Sequence, residues 1–274
     1  MHLEDLLDSQ LALPSIPRVI ALVLSELNRD EPDLRKISKE ISTDPALTAC
    51  VLRLANSAQF QLVQKIGSVS EALALLGLDQ VRTLTIAAGM AVAFKRVPGM
   101  DMPQFWRFSL DVAKLSRKLA NSARVNASTA FTAGLIHATG ELVMHLGMPE
   151  QMHHLNEEAL PLAAKRHRAE QRLLGYCFAD VGAGLAQAWE FPTPIVEAIK
   201  HQLKPFEDGA YEPLAGIVHL AAWRVRAREE GMKAGALADS FPGEVAITLR
   251  IDIDDVLSET PVEWTTGQEA AAMS

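Results

Sequence analysis

The chain has 274 residues, of which 49% are apolar, and 34 acidic side chains against 26 basic ones leave a net charge of −8. That length buries a sizeable core as one large domain or two lobes, and no charge-free run approaches the ~18 residues of a membrane span. The acidic balance weighs against nonspecific binding to nucleic acid or anionic lipid, though not against a local basic face.

The N-terminus carries Glu4, Asp5 and Asp8 where a signal peptide would be basic. The two cysteines, Cys50 and Cys177, sit far apart in helical patterns. They read as buried thiols in a reducing cytoplasm, not as a disulfide or a metal pair.

Apolar residues recur at helical spacing almost throughout, and strand alternation is scarce. Val19, Ile20, Val23, Leu24 and Leu27 share a face over residues 18–28, and Leu34, Ile37 and Ile41 mark the next helix. Asp44-Pro45 is a helix start, with a capping carboxylate and proline at the first position. That helix runs to Asn56-Ser57. Ser68 and Glu71 form a capping box for Val69–Leu76, which Gly77 ends. A longer helix covers 79–96. Residues 97–103, with two prolines and a glycine, divide the chain into lobes 1–100 and 101–240. Helices follow over 104–122, 128–147, 177–190, 193–202 and 214–230. The segment 241–274 is expected to hold one short helix, 252–257, and a loose tail. No internal repeat appears.

Several polar clusters carry two readings each. His153, His154, Lys165, Arg166, His167, Arg168 and Arg172 are a solvated helix face or a docking surface for an acidic partner. His145, His153 and His154 straddle Gly147-Met148-Pro149, so no single helix gathers them, and they read as surface histidines. Arg53, Asn56 and Ser57 at a helix end are a cap and turn or a contact point for a partner or small ligand. His137 lies in the apolar run Gly134–Leu142, with Glu141 one turn on and able to pair with it. It is a core histidine bonded to backbone, a residual anion or nucleotide contact, or a metal ligand. No phosphate loop, nucleophile elbow or paired-cysteine zinc pattern is present.

Taken together, four stretches resemble the HDOD domain, a helical branch of the HD superfamily: Leu13-Pro14-Ser15-Ile16-Pro17, Ser42-Thr43-Asp44-Pro45-Ala46-Leu47, Leu52–Ala58 and Ala72–Leu78. Phe105-Trp106-Arg107-Phe108-Ser109, the His137 run and Gly175–Gly182 extend the likeness over roughly residues 10–230. The resemblance implies an all-α, two-lobed fold and a regulatory role in bacterial signalling.

Catalytic HD proteins gather divalent metals with histidines and aspartates. At the positions matching that ligand string this chain has Phe108, His137-Ala138, Phe178, His201-Gln202 and Ala222. Phenylalanine and alanine offer a metal no lone pair. The resemblance therefore implies no catalytic residue, no resident metal or other cofactor, and work done by binding a signalling protein of a two-component or cyclic-dinucleotide pathway. His137, Glu141, Arg53, Asn56, Ser57 and His201 remain candidates for a residual pocket or partner contact. The alternatives are a phosphohydrolase with a displaced ligand set, or a nucleic-acid-binding regulator using residues 165–172.

Overall fold

Short polar side chains set where the helices begin. Asp33 Oδ1 accepts from the Arg35 and Lys36 amides at 2.9 and 3.3 Å, and Asp44 Oδ1 from the Leu47 amide at 3.0 Å. Ser68 and Glu71 close the expected capping box, at 3.1 and 3.0 Å. Asp101 and Asn126 accept from the third amide of their helices in the same way. Each bond satisfies an amide that a helix end leaves without a carbonyl.

The computed structural model describes residues 1–9, 18–27, 29, 31–56, 65–206, 212–257 and 264–267. The first helices are α1 (Leu3–Leu7), α2 (Arg18–Leu27), α3 (Leu34–Ser42), α4 (Pro45–Ala55) and α5 (Val69–Ala93). After them come α6 (Met102–Ala123), α7 (Ala127–Ile136), α8 (Thr139–Gly147), α9 (Pro149–Glu158), α10 (Arg166–Leu174), α11 (Phe178–Ala188), α12 (Thr193–His201) and α13 (Pro213–Glu229). Three short helices, α14 (Ala234–Ser240), α15 (Gly243–Leu249) and α16 (Ile253–Leu257), complete the order. The fold is all-α, with no strand among the described residues. No described helix is long and apolar enough to cross a membrane. The Leu13–Pro17 motif and Ser57 lie outside the described residues, as does the side chain of Cys50.

Helices α2 to α5 pack on one another, and α5 touches α7. In the C-terminal half, α6 lies between α7 and α13, while α11 lies between α8 and α12. Gly77 interrupts α5 at φ +74°, a left-handed value that glycine adopts without steric cost, and the chain resumes helix at once instead of ending there. The segment 97–103 is stitched to the C-terminal half: Pro98 O accepts from His145 Nδ1 at 2.8 Å and Gly99 O from Asn156 Nδ2 at 3.4 Å.

The two ends of the chain also dock there. Leu7 packs over Gly184 of α11, and the Tyr176 hydroxyl donates to Met1 O at 3.2 Å. The C-terminal segment departs from one short helix and a loose tail. It forms both α15 and α16, and beyond them the Thr265 amide donates to Asp111 Oδ1 at 2.7 Å. The Arg228 guanidinium lies 4.4 Å from the centroid of the Trp264 ring. Helix α15 escaped notice in the sequence because only Ala246 and Leu249 of its residues are buried.

Helices α8 and α11 cross with almost no space between backbones. A Cβ on Gly140 would lie 1.9 Å from Phe178 O and 2.6 Å from Gly182 N. Gly140→Ala must push the helices apart, at a cost of about 3 kcal/mol or more. Gly175 has nothing within 4 Å of its Cβ position, and only its φ of +82° opposes a side chain, so Gly175→Ala costs about 1 kcal/mol. Urea midpoints check this ordering; equal losses would mean that the crossing is not close.

Candidate functional site

The site starts from a break in the backbone. His137 ends α7 with helical dihedrals, and Ala138, at φ −104° and ψ 6°, leaves the helix before α8 begins. The break frees carbonyls in a fully buried setting, where each needs a donor. His137 Nδ1 donates to Gly134 O at 2.7 Å, the Thr139 hydroxyl to Ile136 O at 2.8 Å, and Gln202 Nε2 to His137 O at 2.8 Å. This corrects the single helix expected over 128–147. The apolar pattern runs on unbroken because residues on both sides of the break are buried.

His137 is 0% exposed, and its proton is assigned to Nδ1 by the carbonyl it faces. Its Nε2 lone pair meets no partner among the described residues. The expected pairing with Glu141 does not form: Glu141 Oε1 accepts instead from the Leu162 amide at 3.0 Å, because the break takes α8 out of register with α7.

Phe108, Ala138, Phe178 and Ala222 are all buried. The Phe108 ring lies 5.5 Å from the His137 ring, centroid to centroid, and Arg226 places its guanidinium 5.5 Å from the other ring's partner, Phe108. That contact is of cation–π kind. These residues do not fit a metal. His137 offers one lone pair, the four apolar positions offer none, and no group of three or more His, Cys, Asp or Glu among the described residues is placed to share an ion. Arg226 was missed in the sequence. Its signal is helical spacing, since His219, Ala222 and Arg226 fall at i, i+3 and i+7 on α13.

A strained loop crosses over this core. Leu162 has φ +65°, unusual for a residue with a side chain. Two side chains hold it there: its amide donates to Glu141, and its carbonyl accepts from Arg226 Nε at 2.7 Å. Nearby, Arg166 is 0% exposed and donates through Nε to Glu170 Oε1 at 2.9 Å and through Nη1 to Asn156 Oδ1 at 2.7 Å. Glu170 Oε2 accepts from the Phe178 amide at 2.8 Å. Removing one partner from such a buried pair costs ~3–5 kcal/mol. The 153–172 segment is therefore not wholly a solvated face: Arg166 and Glu170 turn inward and tie α10 to α9 and α11. His145, expected at the surface, is 1% exposed and bonded to Pro98 O, whereas His153 and His154 are exposed.

Burial, and then the neighbouring Glu170 carboxylate, push Glu141 up to about 8. Glu170 is raised by burial too, but a guanidinium and an amide both donate to it. The charge therefore rests on Glu170 and the proton on Glu141. Cys177 is pushed up to about 12 by burial and Asp180, which leaves its thiol a poor nucleophile.

Other candidate residues lie apart from His137. Asn56 is the cap and turn: its side chain donates to Leu52 O and Ile66 O at 2.8 and 2.9 Å and accepts from the Ile66 amide at 2.7 Å. Arg53 is exposed on α4. His201 pairs with Glu197 at 3.3 Å in the last turn of α12. With Lys200 and Lys204 it lines an open groove of about 990 Å³, whose other walls include Arg168, Asp180 and His219. His219 Nδ1 donates to Gln202 O at 2.8 Å.

The imidazole of His137 is pulled by burial from 6.5 to about 3. The folded value is depressed, so the unfolded chain takes up the proton first. The stability that neutral His137 contributes is present above about 6.5 and is lost as pH falls toward about 3. Glu141 acts in the opposite sense, losing stability as pH rises from 4.5 to about 8, so a comparison with a variant is needed. In urea titrations the advantage of the wild type over His137→Gln is largest above pH 6.5 and shrinks steadily on acidification. A pH-independent difference would contradict the assignment.

Comparison with known proteins places this core in a family. A model of the HDOD domain matches residues 13–205. A Treponema pallidum (strain Nichols) protein is 26% identical over 217 residues, 78% of this chain and 42% of its own length, so the chain spans about two fifths of that relative. A Shewanella amazonensis SB2B structure, provisionally named a phosphohydrolase, is 30% identical with a TM-score of 0.80, over 99% of this chain and 96% of that one. A Geobacter sulfurreducens HDOD domain protein with unknown function is 23% identical with a TM-score of 0.75, over 95% of this chain and 92% of that one. The family match covers well over half of the helical chain that folds around His137, and the chain belongs to the HDOD domain family.

Proposed function

We propose that the chain is a non-catalytic signalling module that acts by binding another protein, a component of a two-component or cyclic-dinucleotide pathway. The observation that carries this reading is the donor set around His137. Metal-assisted phosphoester cleavage needs several lone pairs to hold an ion that acidifies water and stabilises phosphoryl charge. Phe108, Ala138, Phe178 and Ala222 supply none, and Arg226 brings a fixed positive charge to the Phe108 ring. The class of partner follows from the family resemblance.

A second reading, a phosphohydrolase, has one observation in its favour besides the name of the Shewanella relative. His137 donates Nδ1–H to a backbone carbonyl, as metal-bound histidines do, which leaves Nε2 as the free lone pair. One imidazole does not close a ligand shell.

Hydrolysis of bis(p-nitrophenyl) phosphate with added manganese separates the two. The expected result is no turnover above buffer for the wild type or for His137→Ala. Complementation in the native host should find regulatory output near normal for His137→Ala. Stability should fall by about 2–4 kcal/mol through the cavity and the orphaned Gly134 carbonyl. Turnover abolished by His137→Ala, with circular dichroism unchanged, would establish the phosphohydrolase instead.

A further inference from the structure

The groove beside His201 has a use that the partner-binding reading does not require. Four helices and a turn build it: α10 contributes His167 and Arg168, α11 Asp180, α12 Lys200 and His201, and α13 His219. Its volume of about 990 Å³ is at the upper end of the range for small-molecule sites. None of the four emptied ligand positions lines it, and neither does His137; of the ligand-string positions among the described residues, His201 alone reaches it.

Its charge runs against that of the chain. The net charge of the whole is −8, yet the described lining carries four Lys or Arg side chains and a single carboxylate, Asp180. Asp180 Oδ2 accepts from the Cys177 amide at 2.8 Å, which spends part of its hydrogen-bonding capacity at the start of α11. Neither the Arg168 nor the Lys200 side chain is held in an ion pair among the described residues. Arg172 is paired with Glu158, so the excess positive charge of the wall rests chiefly on Arg168 and Lys200, and a concave wall with such an excess draws in anions. Guanidinium and ammonium groups together suit phosphate oxygens, the first as a planar fork and the second as a point charge. His219 commits its Nδ1–H to Gln202 O, so its Nε2 lone pair is left to accept from an N–H or O–H of a ligand's non-phosphate part.

We propose that this groove binds a small phosphorylated molecule of nucleotide size, with Arg168 and Lys200 on the phosphates and His167, His201 and His219 as hydrogen-bonding partners. A bounded pocket on an acidic chain suits such a molecule better than a nucleic-acid strand, which needs an extended basic track. The bound state would also be felt at the helix break. Gln202, which accepts from His219, donates to the His137 carbonyl at 2.8 Å.

Isothermal titration calorimetry of the full chain tests this with GDP, inorganic pyrophosphate and guanosine as probes. GDP should bind saturably, pyrophosphate should compete with it, and guanosine should give no saturable heat. The exposed-residue double variant Arg168→Glu/Lys200→Glu should weaken GDP at least about tenfold, while Lys233→Glu, exposed and away from the groove, leaves it unchanged. Three results overturn the proposal: no saturable binding of GDP or pyrophosphate, GDP binding that survives the double reversal, or guanosine binding as tightly as GDP. A mixed-sequence single-stranded oligonucleotide that outcompetes GDP, with steep salt dependence, would assign the groove to nucleic acid instead.

Discussion

The constraint on which the rest depends is a helix end buried where no water reaches it. When α7 stops at His137, the carbonyls of Gly134, Ile136 and His137 need donors, and the chain supplies an imidazole, a hydroxyl and an amide. An unmet buried carbonyl costs ~1–3 kcal/mol, so Thr139 and Gln202 are as much part of the site as His137. The break also re-aims α8, which lets Gly140 meet the start of α11 at backbone contact. Through Gln202, the same carbonyl network reaches His219 and the wall of the basic groove.

Guanidinium groups settle the electrostatics of this core. Arg226 lies against Phe108 and bonds the strained Leu162 carbonyl; its charge, after burial, helps to keep the His137 imidazole neutral. Arg166 pairs with Glu170, whereas burial, and then the Glu170 carboxylate, push Glu141 up to about 8. Burial thus biases both the imidazole and the Glu141 carboxyl toward their neutral forms, beside two fixed cations. Such an interior has little use for an added divalent ion, whose charge would meet that of Arg226 at short range. Catalytic relatives of this fold class need the reverse, a cavity of lone pairs that only a cation satisfies.

Much of this was legible in the sequence. Helical periodicity gave the all-α class, and Asp44, Ser68 and Glu71 marked helix starts because a cap is a local interaction, written within four residues. The apolar side chains at Phe108, Ala138, Phe178 and Ala222 could be read directly. The failures were tertiary. Nothing local separates a charged residue on a wet face from one that pairs across helices, so Arg166 passed as solvated and His145 as a surface residue. The break at His137 was hidden because one of its donors, Gln202, lies 65 residues away. The groove assembles from four separate segments, and only the fold brings Arg168 to Lys200.

Metal analysis of the chain, purified without chelator and then titrated with manganese, iron and zinc, addresses the central claim directly. A core already supplied with guanidinium charge and short of lone pairs should hold less than stoichiometric metal, by an amount that His137→Ala does not change. One tightly held ion per chain, lost on His137→Ala, would show that His137 still serves a metal and would contradict the account.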